Sequence, residues 1–259
     1  MNILGLVAKT HDSGLALLSD GAVAYVLEEE RFDRRKKSQK FPRHALATLM
    51  AETGLSLSDL DVITTPWDVV ALRRFAAKLL LRRFPLSLCL LHPAALRRHF
   101  GANATLPPIV NVCHHDAHAA SFFVSPFDEA LVLVMDGYGD DASTSAYIGR
   151  RNKLERLWHT SPFNSLGLVY TFVTEYLGFA GFGDEGKVMA LAAFGDSSYV
   201  ARFRDVMRPT PDGSYAVNMD YFSFETFGEL KPFTRKFFDV LGLPRAEGTP
   251  LEARHKAIA

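Results

Sequence analysis

The chain reads as an α/β protein. Apolar, β-branched runs of strand length stand at 2–8, 15–19, 22–27, 62–64, 109–112, 131–135, 143–148 and 154–159. Helix-type stretches at 44–53, 114–118, 165–177 and 187–193 are interleaved with them. The joints carry Asp, Gly and Pro, residues that supply tight turns and helix stops.

Taken in order, Asn2 to Ala8 is the first strand and Thr10-His11-Asp12-Ser13-Gly14 the turn that follows it. Leu15 to Ser19 and Ala22 to Leu27 flank Asp20-Gly21, a two-residue hairpin signal. A charged block, Glu28 to Lys37, leaves the third strand. Dense mixed charge of this kind is usually a solvated face, but a strand exit opposite a polar loop also suits a ligand. Phe41-Pro42 opens a helix, His44 to Thr53, which Gly54 stops. Val62 to Thr64 is a strand. Val69 to Phe100 is rich in Arg and Leu and is divided by Pro85 and Pro93, which reads as amphipathic helices with snorkelling arginines over a core. Ile109 to Val112 is a strand that feeds a histidine-rich helix. Leu131 to Met135 and Ser143 to Ile148 pair around Asp136-Gly137-Tyr138-Gly139-Asp140, and Leu154 to His159 follows. Ser165 to Leu177 and Lys187 to Ala193 are helices either side of a glycine-rich stretch. From Tyr199 the chain reads as irregular and aromatic, and Leu251 to Ala259 as the start of a helix.

Composition excludes several classes. The 259 residues carry 29 basic and 29 acidic side chains, so no charge excess points to a nucleic acid or an anionic membrane. No run of about 18 apolar residues exists to span a bilayer. Cys89 and Cys113 are too few for a disulfide framework, which suits a reducing cytoplasm. The apolar N-terminus lacks a basic start and breaks at Lys9, as a strand does and a signal peptide does not.

The densest chemistry is His114-His115-Asp116-Ala117-His118. Spacing of four stacks His114 and His118 on one helix face, where two imidazoles can share an ion. The strand ending in Asp136 can add a carboxylate, and such a donor set suits Fe, Zn or Mn. A strand, an Asp/Gly turn and a strand recur at 11–14 and 136–140; turn amides of this kind can cradle phosphate oxygens.

Ile3-Leu4-Gly5-Leu6, His11-Asp12-Ser13-Gly14, Glu29-Glu30-Arg31-Phe32, Phe41-Pro42, Asn111 through Ser121, Asp136 through Asp140 and Gly183-Asp184-Glu185-Gly186-Lys187-Val188-Met189 occur in an order that resembles the O-carbamoyltransferases, nodulation and antibiotic-tailoring enzymes. The resemblance implies an actin/Hsp70/sugar-kinase-like (ribonuclease H-like) architecture, shared with the tRNA threonylcarbamoyl transferases. It implies a first half over 1–195 and the start of a second over 196–259, with the carbamoyl-adenylate-forming domain of another fold further on. It further implies a metal, iron ahead of zinc or manganese, on His114, His118 and Asp136, with another aspartate beyond residue 259. The donor would be carbamoyl phosphate, activated by ATP as carbamoyl-adenylate. The acceptor would be the hydroxyl of a small molecule such as a natural product or sugar. The remaining partner would be the missing C-terminal part, in the same protein or a separate chain. Lys37 stands where many members have His, so either Lys36 or Lys37 is the residue expected at the carbamoyl group.

Acyl transfer of this kind needs a base for the hydroxyl, donors for a developing oxyanion and cations for the leaving phosphate. His11 and Asp12 are candidates for orienting the acceptor or taking its proton, and Lys36 and Lys37 for charge. Gly137, Gly139, Asp140, Gly183, Glu185, Gly186 and Lys187 are candidates for holding the nucleotide, the last four at a helix start where amides point outward. Two other readings stand beside this one: a tRNA threonylcarbamoyl transferase, for which balanced charge is a poor match, and a folded fragment that keeps the metal motif without turnover.

Overall fold

The computed structural model describes residues 1–8, 12–67, 93–222 and 232–259. His11 and most of the Arg/Leu-rich segment, 68–92, lie outside them. The chain divides into two compact units, Met1–His118 and Ala119–Ala259. No helix among the described residues is long and apolar enough to cross a membrane.

The first unit is built on β1 (Asn2–Val7), β2 (Gly14–Ser19), β3 (Ala22–Glu28), β4 (Val62–Thr65) and β5 (Ile109–Asn111), in the sheet order β3-β2-β1-β4-β5. The first three strands form an antiparallel meander, and β1, β4 and β5 run parallel. That mixed order is the one expected of a ribonuclease H-like half. The β2–β3 turn has positive φ at both Asp20 (49°) and Gly21 (84°), the geometry that matches strand twist in a two-residue hairpin. Helices α1 (Glu30–Asp33), α2 (Arg43–Thr53) and α3 (Pro93–Phe100) complete it. Leu4, Leu6, Leu15, Leu17 and Ile63 of the sheet meet Ala45, Leu46, Leu49 and Leu96 in one buried cluster. Helix α2 stops where expected: Gly54 takes φ 69° and its N–H bonds the Met50 carbonyl.

The boundary between the units falls within α4 (His114–Ala119). The second unit opens on another antiparallel meander, β6 (Glu129–Met135), β7 (Thr144–Arg150) and β8 (Lys153–Thr160). The repeated Asp/Gly turn therefore sits at the same step in both units, between the first and second strands. Helices α5 (Leu166–Tyr176), α6 (Glu185–Ala192) and α7 (Val200–Val206), the hairpin β9 (Met207–Pro209) with β10 (Tyr215–Val217), α8 (Arg235–Leu241) and α9 (Ala253–Ile258) follow.

The stretch after Tyr199, expected to be irregular up to Leu251, holds two of these helices and a hairpin, and the helix expected from Leu251 is α9. Its aromatics are core rather than loop. Phe222, Phe233 and Phe237 pack with Phe172 and Tyr176 of α5, and the Tyr176 hydroxyl donates to the Leu241 carbonyl at 2.7 Å. Phe224 and Phe227 lie outside the described residues.

Candidate metal centre

The site of the first unit lies at the carboxyl ends of its parallel strands, where open α/β sheets place their ligands. β4 ends at Thr65, and its carbonyl takes the Val112 N–H at 2.8 Å, which fixes where the chain leaves β5. Helix α4 starts two residues later. Its spacing does what was expected of it: His114 and His118 come together with their Nε2 atoms 3.2 Å apart. Two nitrogens each about 2.0–2.1 Å from one ion, at angles of 90–110°, stand about 2.9–3.4 Å apart. The pair therefore fits two neighbouring ligands of a single ion.

The His114 ring is held from two sides. Its Nδ1 lies 3.0 Å from the Pro66 carbonyl, which can only accept, so Nδ1 carries the proton and Nε2 presents the lone pair. Trp67 stacks on the ring, centroids 4.2 Å apart and planes within 25°. His115, on another face of α4, is buried. Neither Pro66 nor Trp67 was singled out in the sequence. Their place immediately after a strand end was the available signal.

The same edge of the sheet carries the turn after β1. Ser13 is buried there; its N–H donates to the Ser38 carbonyl and its carbonyl accepts from Glu29, each at 2.9 Å. These bonds sew the charged 28–38 loop to the Asp12-Ser13 turn. The Glu30 carboxylate accepts the Lys37 N–H at 2.9 Å, and the Ser38 hydroxyl donates to Asp33. Lys36 is exposed and Lys37 half-buried, the latter at φ 57°; Asp12 is exposed at φ 61°. Glu29 is the exception in a run that otherwise reads as solvated. It is only 2% exposed and accepts the N–H groups of His44 and Ala45 at 3.0 Å each, with His44 Nδ1 at 2.6 Å. It thus satisfies the start of α2, whose first flanking residue, Pro42, has no side chain to do so.

In the second unit, Asp136 directly follows β6, and its carboxylate takes the Gly137 N–H at 2.6 Å. The turn is clamped by the start of α5. Ser165, buried, accepts the Leu168 N–H at 3.0 Å as an N-cap and donates to the Gly137 carbonyl at 2.6 Å. Gly167 lies so close that a Cβ there would be 2.6 Å from the Asp136 carbonyl oxygen. Gly139 closes the turn on the Ala142 carbonyl, Asp140 is buried, and Asp141 pairs with Arg156 at 3.3 Å.

The glycine-rich stretch leads into α6. Glu185 accepts from the Phe182 N–H at 2.6 Å and the Thr171 hydroxyl at 3.0 Å; Lys187 pairs with Asp184 at 2.8 Å; Gly183 and Gly186 are exposed. Burial, and then the nearby Glu185 charge, push the Glu175 carboxyl above its usual range. A Cβ on Gly137 would lie 3.8 Å from Phe182 Cε1, so this stretch and the Asp136 turn are neighbours within the unit.

The family described as Carbamoyltransferase N-terminus matches residues 2–252. The uncharacterised protein sll1178 of Synechocystis sp. is 36% identical over 279 residues, covering 100% of this chain and 45% of that protein. Nodulation protein NolNO of Sinorhizobium fredii is 33% identical over 255 residues, covering 96% of this chain and 36% of its own length. The chain thus spans less than half the length of these curated relatives. YeaZ from Pseudomonas aeruginosa superposes with a TM-score of 0.37 at 13% identity, over 61% of this chain and 64% of that one. A Ppx/GppA protein of Aquifex aeolicus does so at 0.30 and 14%, over 76% and 63%.

Proposed function

The chain belongs to the carbamoyltransferase family, and on that premise we propose that it is the transfer part of an ATP-dependent O-carbamoyltransferase. It receives carbamoyl-adenylate, made from carbamoyl phosphate and ATP by a further domain, and passes the carbamoyl group to a hydroxyl of a small-molecule acceptor. The observation that carries the proposal is the His114–His118 pair, with one imidazole oriented by the Pro66 carbonyl and both Nε2 atoms at the separation of shared ligands. His114 and His118 would hold a divalent ion, iron first among the candidates, with Asp136 the further ligand that the family resemblance implies. That ion would supply Lewis acidity to the carbamoyl or phosphate oxygens.

The chain's own groups do the rest. The acceptor oxygen forms a bond to the carbamoyl carbon, the carbon–oxygen bond to phosphate breaks, and AMP leaves with the electron pair. Asp12, or His11 beside it, takes the hydroxyl proton. Lys36 or Lys37, on a loop fastened to that turn through Ser13 and Ser38, balances charge on the departing phosphate. Gly137, Gly139, Asp140, Gly183, Glu185, Gly186 and Lys187 form the nucleotide-facing turns.

The test uses the full-length protein with radiolabelled carbamoyl phosphate, ATP, Fe(II) and a panel of hydroxylated sugars and polyketides. Label is expected on at least one small acceptor and is expected to vanish in His114→Ala. Transfer to no hydroxyl compound, or to tRNA alone with threonine and bicarbonate, overturns the reading.

A further inference from the structure

Phe182 is an aromatic residue in the left-handed region, at φ 57°. That conformation is disfavoured for a bulky L residue and persists only where the surroundings impose it. Here they do. The Glu185 carboxylate takes the Phe182 N–H, and the Thr171 hydroxyl holds Glu185 in turn. On either side, Phe179 N–H bonds the Thr174 carbonyl at 3.1 Å and Asp184 N–H bonds the Ala180 carbonyl at 2.9 Å. The adjacent Gly181 lies against the Glu175 carboxylate, where a Cβ would meet an oxygen at 2.3 Å.

The consequence is an unusual placement of a ring. The core of this unit is rich in phenylalanine, yet Phe182 is not among its residues and stays 46% exposed. One ring atom of Phe182, Cε1, lies 3.8 Å from where a Cβ on Gly137 would stand, as does a methyl of Leu168. The ring edge is thus beside the Asp136-Gly137 turn, and nearly half of the residue's surface remains open. A strained backbone that holds an aromatic ring open beside a glycine turn favours a flat, π-rich partner.

We propose that Phe182 is the stacking platform for the purine ring of the nucleotide, and so a determinant of specificity for an adenylate over a base-free phosphate. The inference rests on the carbamoyl-adenylate reading, since adenine is the flat ring that reading supplies. Base-on-aromatic stacking of this kind is sensitive to removal of the ring and tolerant of a change of ring.

The experiment is calorimetric titration of the 259-residue chain with AMP and, separately, with ribose 5-phosphate. Phe182→Ala is expected to weaken AMP about 10- to 100-fold and to leave ribose 5-phosphate unchanged. Phe182→Tyr is expected to keep AMP binding. Phe182→Gly accepts the positive φ without strain and so reports loss of the ring in a folded chain; it is expected to behave as Phe182→Ala. Equal AMP affinity in wild type and Phe182→Gly overturns the proposal, as does parallel weakening of AMP and ribose 5-phosphate. Wild-type binding of AMP no tighter than ribose 5-phosphate overturns it as well, while label transfer by the full-length protein then still stands for the transferase itself. Tighter binding of an aromatic alcohol than of AMP, lost in Phe182→Gly, assigns the ring to the acceptor and overturns the nucleotide assignment.

Discussion

His114 shows what a single residue's surroundings add to a motif. Its partner at spacing four was legible in the sequence, because helical periodicity alone puts the two imidazoles on one face. The carbonyl that sets its tautomer was not, because Pro66 is 48 residues away and offers only a backbone atom. The Nδ1–H bond leaves Nε2 as the donor for a metal, so the two features act together. His114→Ala or His118→Ala is expected to bring metal content, measured by plasma mass spectrometry after reconstitution and desalting, from near one ion per chain to near zero. Trp67→Ala removes the stacked ring but no ligand, and is expected to weaken metal affinity roughly tenfold while leaving the stoichiometry at one. Equal metal content in wild type and His114→Ala rules the ligand out.

At the scale of elements, two helix starts position the chemistry. Ser165 caps α5 and also holds the turn that carries Asp136. Ser165→Ala removes both bonds, and urea unfolding is expected to show a loss of about 1–2 kcal/mol. Gly167→Ala forces a methyl against the Asp136 carbonyl and is expected to displace the turn, with weaker metal retention than Ser165→Ala. The start of α2 is satisfied from a distance by Glu29. Its carboxylate accepts N–H groups in a buried site, and Glu29→Ala is expected to cost about 2–3 kcal/mol, well beyond a surface charge change. An unchanged urea midpoint in Glu29→Ala returns the residue to the solvated-face reading. That reading was the natural one for the charge block, because pattern reports the average of a run and a single inward acid does not alter it. Stop signals were more legible: Gly54 and Asp20-Gly21 do what their backbone freedom requires.

At the scale of the whole chain, strands β1 to β8 were legible as a list and the sheet order as a family resemblance, since nothing local tells β1 that β4 will lie beside it. The aromatic stretch after Tyr199 misled for the opposite reason. Its rings serve a core assembled from several short elements, so no window shows a clean period. That packing ends in α9, where His255 is 2% exposed and its Nδ1 accepts the Glu252 N–H at 3.0 Å. Nε2 therefore carries the proton of the neutral ring, and it is buried without a hydrogen-bond partner among the described residues. Burial first, and then the neighbouring Arg254, hold the His255 pKa below its ordinary value. The unfolded chain takes up a proton near pH 6.5, whereas the folded chain does so only at lower pH. Folding stability from this group is thus fully present above about pH 6.5 and declines as pH falls from there toward the folded value. His255→Gln keeps an acceptor for the Glu252 N–H, as a capping box permits, and removes the titration. The melting temperature of the wild-type chain is expected to fall between pH 7.5 and pH 5.5 by more than that of His255→Gln, with both measured in the presence of chelator. Parallel pH dependence in the two proteins would show that His255 is as readily protonated folded as unfolded, against its place in the core.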